Sequence, residues 1–163
     1  MARPFVPWPD PRLKRVAEEV GEITDEIRAI WDEMIEAMRT MPAGVGLAAP
    51  QLGINLRLAI VDAGDGKALV KLANPEIVQA SKETTLYDEG SPNLPGVSAK
   101  VKRPASVTVS FIDHMGVRVR QDFTGLWARS VQHQIDHLNG KMYFDRLSRV
   151  KRDMLIRKAR KCA

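Results

Sequence analysis

The 163-residue chain has a single cysteine, Cys162, so no disulfide and no thiolate metal cluster can form within it. One thiol next to the end fits a reducing compartment. No uninterrupted apolar run approaches the roughly 18 residues a membrane helix needs. The opening MARPFVPWPDP carries four prolines in eleven residues and no apolar stretch of signal-peptide length. The expectation is a cytoplasmic protein without a membrane span. The ten prolines and eleven glycines are scattered rather than gathered into a linker, and a chain of this length can surround one core, so residues 1–163 are expected to form one domain.

The net charge of +5 is unevenly placed. Residues 146–163 hold eight Lys and Arg against Asp153, a local +7, which leaves the remainder at about −2. The basic character therefore belongs to the tail. A Lys/Arg-rich terminal helix is either a solvated face or a footprint for nucleic acid.

The segment TDEIRAIWDEMIEAMRTM, residues 24–41, places Ile27, Ile30, Trp31, Met34, Met38 and Met41 at helical spacing behind Thr24, a good N-cap, and predicts an amphipathic helix. After Pro42 come short β-branched runs: LRLAIVDAG (56–64), ALVKLANPEIV (68–78) and SVTVSFI (106–112). Asp113 to Gly116 predicts a turn into VRVRQDF, with Val117 and Val119 inward, Arg118 and Arg120 outward, and His114 exposed. A second helix is predicted from Leu126 to Asn139, closed by Asn139-Gly140, and a third from Ser148, with Val150, Met154 and Ala159 as its apolar contacts. Helices near both ends with strands between them predict an α+β domain.

Three short segments carry chemistry. In QHQIDHLNG (132–140), His133 and His137 project from one helical face, four residues apart, as a pair of metal ligands would. Trp127, Val131, Ile135 and Leu138 form an apolar stripe opposite them. Either the histidine side faces water, or the helix is sandwiched and the rings look into a cleft. Position 134 is glutamine where a metallohydrolase carries glutamate; an amide orients a water or a carbonyl but cannot relay a proton near neutral pH. GVGLAAPQ (44–51) allows close backbone approach by a ligand and offers the Gln51 amide, while EGSPNLPG (89–96) predicts a further turn.

In this order, GVGLAAPQ, EGSPNLPG and QHQIDHLNG resemble the three signature segments of the peptide deformylase family, which removes the formyl group from the N-terminal methionine of new polypeptides with a divalent metal, usually iron. PDPRLKRVAEEV, NPEIV and YFDRLS extend the resemblance over nearly the whole chain. It implies a deformylase-like α+β fold, with mixed or antiparallel sheets around a central helix bearing the histidines, an N-terminal amphipathic helix and a C-terminal helix.

The resemblance also implies roles. His133 and His137 match two metal ligands, and Gln51 matches the side chain that helps hold the oxyanion. Gly44, Val45 and Gly46, with Glu89 and Gly90, match backbone that receives the substrate like an added strand. Val45, Leu126 and His133 match part of the pocket for the methionine side chain. The departures fall on reactive atoms. Ser91 replaces the cysteine ligand, Pro92 replaces the leucine whose N–H completes the oxyanion hole, and Gln134 replaces the catalytic glutamate. A missing base costs about 10² to 10⁴ in rate, and a missing oxyanion donor about 10² to 10³. The expectation is a silent or nearly silent deformylase-like protein with no metal or a weakly bound one, Fe²⁺, Zn²⁺ or Ni²⁺ being implied only by resemblance. Its partners would be N-terminal peptides of nascent chains. Two alternatives stay open: an active metal-dependent hydrolase of N-acylated peptides, and a ribosome- or RNA-docked module working through the basic last helix.

Overall fold

The computed structural model describes residues 3–162. Met1, Ala2 and Ala163, which belong to the expected domain and terminal helix, lie outside them.

Helix α1 (Asp25–Arg39) begins where its cap chemistry predicts. Thr24 stays extended and its hydroxyl accepts the Ile27 N–H at 3.3 Å, a contact worth about 1 kcal/mol. Asp25 and Glu26 sit at the positive end of the helix dipole. Trp31, Met34, Ala37 and Met38 are buried, with Ile27, Ile30 and Met41 packed around them. Each large side chain contributes about 1.5 to 3 kcal/mol by leaving water.

Among the described residues seven strands follow in chain order: β1 (Gly46–Ala48), β2 (Leu58–Val61), β3 (Val70–Ala80), β4 (Thr84–Ser91), β5 (Leu94–Pro104), β6 (Ser106–Ile112) and β7 (Arg118–Thr124). Five form an antiparallel sheet in the order β1-β2-β3-β6-β7, and β4 pairs with β5 in a separate hairpin. Strand β2 is buried throughout because both of its faces are covered. Leu58 and Ile60 pack with α1, whereas Ala59 and Val61 point to the opposite face. On that opposite face lies helix α2 (Gly125–Leu138), whose Ala128, Val131, Ile135 and Leu138 join Val107, Val109, Phe111 and Phe123. At its end Gly140 has φ +74°, and a Cβ there would run into the Lys14 carbonyl, so the turn demands glycine. Helix α3 (Arg149–Cys162) packs on β5 and on Tyr143 and Phe144 as a third small core.

Three expectations change. EGSPNLPG does turn the chain, but it is the tip of the long β4–β5 hairpin, with Ser91 opposite Leu94. The polar stretch TTLYDEG gave no period-2 signal for β4. Val117 is exposed rather than inward, because β7 starts one residue later, and Val119 is half-buried. In α3 the buried contacts are Leu155, Ile156 and Ala159, while Val150 and Met154 are 69% and 61% exposed. Among the described residues no helix is long and apolar enough to cross a membrane.

Candidate active site

Helix α2 is sandwiched: every residue from Ala128 to Leu138 is buried. Its apolar stripe meets the five-stranded sheet, and the opposite stripe carries Arg129, Ser130, His133, Gln134 and His137. Of the two orientations the sequence allowed, the rings look inward. Strand β1 runs against this stripe so closely that a Cβ on Gly46 would lie 2.5 Å from Ser130 Oγ and 2.7 Å from Gln134 Nε2. Only glycine permits that approach. The Ser130 hydroxyl donates to the carbonyl of Val45, the residue just before β1, at 2.8 Å and fastens the start of that strand to the helix.

Buried charge fixes His133. Its Nδ1 lies 2.7 Å from Glu89 Oε1. The same carboxylate accepts Arg103 Nε at 2.6 Å and Nη2 at 2.8 Å, together with Arg129 Nη1. Arg103 also donates to Asp136 at 2.9 Å, and Arg146 completes that carboxylate at 2.7 and 2.8 Å. Burial opposes ionisation of Glu89, yet hydrogen bonds from Arg103 and His133 outweigh it and hold the carboxyl far below its ordinary range. Burial drives the His137 imidazole well below its usual value, with the charges of His133 and Arg103 adding to the effect. Tyr143 stacks on His133 with centroids 6.0 Å apart. Its phenol is pushed up to about 12 by burial and by the Glu89 charge.

A second cluster joins Gln51, Ser91 and Asn93. Gln51 Oε1 accepts the Ala48 N–H at 2.9 Å, and its Nε2 donates to Asn93 Oδ1 at 2.8 Å and to Ser91 Oγ at 3.4 Å. The Ser91 hydroxyl donates to Asn93 Oδ1 at 3.1 Å. Asn93 Nδ2 reaches the Val6 carbonyl at 2.6 Å and so ties the N-terminal segment to the site.

Between these clusters opens a cavity of about 260 Å³. Nine of the expected residues line it: Val45 just before β1 and Gly46 within it, Gln51, Glu89 and Gly90 from β4, Pro92 at the hairpin tip, and Leu126, His133 and Gln134 from α2. Three do not: Gly44 precedes the strand, Ser91 stands behind Gln51, and His137 stands behind His133 with Nε2 to Nε2 at 3.1 Å. The sequence reading missed Met41, Ala43, Asp88 and Arg129 in the wall, and it placed Ser130 on the histidine side of the helix without giving it a site role. Arg129 lies one helical turn before His133, so spacing alone could have found it. Asn93, Arg103 and Asp136 gave no local signal of their place around the site. Gln134 is 3% exposed. Its Nε2 reaches Ser130 Oγ at 3.4 Å, while its Oε1 has no hydrogen-bond partner among the described residues.

A buried helix thus presents two convergent imidazoles beside a Gly-rich edge strand and a hairpin tip. The polypeptide deformylase family model matches residues 2–153, and the chain belongs to that family. It is 40% identical to the peptide deformylase of Rhizobium meliloti (strain 1021), over 99% of this chain and 94% of that one. Identity to the peptide deformylase of Rhodopseudomonas palustris (strain TIE-1) is 43%, over 99% and 94%. Among solved structures, a peptide deformylase from Legionella pneumophila superposes with TM-score 0.91 at 38% identity, covering 99% of this chain and 95% of that one. The Synechococcus elongatus peptide deformylase in complex with actinonin gives TM-score 0.89 at 34% identity, covering 95% and 86%. The α+β deformylase fold is thus established.

The family removes the N-formyl group from nascent chains and is metal-dependent. The donor set here falls short of a catalytic metal centre, which needs three protein ligands. Two imidazole nitrogens converge, but Ser91 offers a neutral hydroxyl already donated to Asn93. No group of three His, Cys, Asp or Glu side chains suited to a metal occurs among the described residues.

Proposed function

We propose that this protein is a deformylase-fold binder of peptide N-termini with little or no hydrolytic turnover. The observation that carries the reading is Gln134, buried in the cavity wall with a bare carbonyl where the resemblance calls for a glutamate. An amide holds a ligand N–H but cannot shuttle a proton. Pro92, also in the wall, has no N–H to offer an oxyanion, and Ser91 is a poor anionic donor beside a thiolate. With base, donor and thiolate gone, little distinguishes a transition state from a ground state.

Binding groups remain. Strand β1 is an edge strand, so its free side can take an extended peptide as an added strand opposite Glu89 and Gly90. Val45, Leu126 and the His133 ring would surround the first side chain, and Gln51 and Gln134 would hold polar atoms at the terminus. In this reading His133, His137 and Ser91 mark a degenerate metal position. The protein would act in the cytoplasm beside nascent chains.

The test pairs calorimetric binding of a formyl-methionyl tripeptide with a formate-release assay at high protein concentration, with and without added Fe²⁺, Ni²⁺ or Zn²⁺. Binding without formate supports the proposal; turnover in the range of ordinary enzymes sinks it. The active-hydrolase reading draws support from the deformylase names of relatives near 40% identity, and the same assay decides it. The ribosome reading draws on the exposed Arg157, Lys158, Arg160 and Lys161 of α3. Deleting that helix would uncover Met142, Tyr143 and Phe144, so charge reversal at those four positions is the cleaner test. Unchanged salt-dependent co-sedimentation with ribosomes removes that reading.

A further inference from the structure

The proton positions around the histidine pair are constrained from both ends. Glu89 is ringed by donors from Arg103 and Arg129 and serves as acceptor, so the His133 proton facing it sits on Nδ1. That leaves His133 Nε2 with a lone pair, 3.1 Å from His137 Nε2. Two bare lone pairs cannot rest that close; either a cation or a proton lies between them. The spacing alone admits both.

His137 Nδ1 decides. A cation held by both Nε2 atoms would put the His137 proton on Nδ1, which is buried with no protein acceptor among the described residues. Metal-bound histidines almost always donate that second N–H to a carboxylate, carbonyl or water, and buried N–H groups without a partner are rarer than underused acceptors. With the proton on Nε2 instead, Nδ1 keeps only a lone pair and Nε2 gains a partner.

The third corner agrees. The Ser91 hydroxyl, its proton given to Asn93 Oδ1, also lies 3.4 Å from both Gln51 Nε2 and the Asn93 backbone N–H. It is woven into an amide cluster rather than held ready for a cation.

We propose that the two histidines form a metal-free relay, in which His137 Nε2–H donates to His133 Nε2 and His133 Nδ1–H donates to Glu89. A hydrogen bond takes the place of the family's metal, and the chain reaches its native structure without one. The inference rests on the reading that His133 and His137 stand at the family's metal position, but not on whether peptides bind.

The experiment is long-range ¹H–¹⁵N spectroscopy of the full chain labelled at histidine, recorded as purified, after EDTA, and after equimolar Zn²⁺, with elemental analysis of the same sample. The relay predicts His133 as the Nδ1–H tautomer, His137 as the Nε2–H tautomer, substoichiometric metal, and spectra unmoved by EDTA or Zn²⁺. Stoichiometric metal with both rings as Nδ1–H tautomers, released by the chelator, overturns it. The formate assay separates the two claims. A metal-loaded protein that binds peptide without turnover would sink the relay and spare the proposed function; a metal-free protein that turns over would do the reverse.

Discussion

Two shells of side chains surround His133, and they are built on opposite terms. In the outer shell Glu89, Arg103, Asp136 and Arg146 match charge to charge, with hydrogen bonds of 2.6 to 2.9 Å. The inner positions hold a hydroxyl at Ser91, a ring without an N–H at Pro92, and at Gln134 an amide whose carbonyl is bare. Holding a geometry and reacting within it are thus assigned to different residues. A buried ion network broken at one member leaves uncompensated charge and destabilises the fold strongly. Exchanging a reactive group for a neutral one of similar size leaves packing almost untouched. The outer shell is therefore tied to stability, and the inner one is free to lose its chemistry.

The sharpest way to break that contrast is to restore the inner positions alone. Ser91→Cys, Pro92→Leu and Gln134→Glu together are expected to recruit metal and raise formate release from a formyl-methionyl peptide by at least about 10² over the parent, the effect of one base or one donor. The combined gain will not be the product of the separate ones. A folded, metal-loaded triple variant that stays inert would show that the scaffold no longer positions a substrate.

Attacking the outer shell should act on stability instead. Arg103→Ala strands Glu89 and Asp136 and is expected to cost about 3 to 5 kcal/mol in urea unfolding. Acid adds a second signature. Because the folded-state carboxyl of Glu89 is depressed, its contribution is complete above the ordinary carboxylate value near 4.3 and fades as pH falls through the folded value. In Arg103→Ala much of that acid-sensitive contribution should be absent at every pH; an acid-unfolding profile parallel to the parent's would contradict the assignment.

Gly46→Ala tests the seam between the shells. Its methyl must displace Ser130 and Gln134 or lift β1, an overpacking effect of about 1 to 3 kcal/mol. Peptide binding should weaken with it, and an unchanged melting temperature together with unchanged binding would argue against β1 as the ligand edge. The smallest change is expected far from both shells. Val150→Ala and Met154→Ala, on the exposed side of α3, should stay within about 0.5 kcal/mol in the same unfolding experiment.

Local pattern carried much of the fold. The helical stripe from Ile27 to Met38, the cap at Thr24 and the stop at Asn139-Gly140 all correspond to what the structure contains, since capping and periodicity act within a few residues, while Met41 lies past the helix end at Arg39. Strand β4 escaped because its apolar residues, Leu86 and Tyr87, are adjacent and exposed while the residues it buries, Glu89 and Ser91, are polar, and its partner lies across a two-residue tip. Val150 and Met154 were misplaced because a helix with few apolar residues allows more than one stripe, and only packing against Tyr143 and Phe144 chooses Leu155 and Ile156.

Residue order determined the motifs, their spacing and the chemical character of Ser91, Pro92 and Gln134, since a side chain's functional groups are intrinsic to it. The tertiary structure alone decided that both faces of α2 would be covered, that Glu89, Arg103 and Asp136 would meet from three separate elements, and that Asn93 would tie Ser91 to Gln51. Those contacts join residues 14 to 42 apart in the chain, or two apart across a hairpin tip. Nothing local specifies them: they arise when burial brings charges and amides together in a space where each must find a partner.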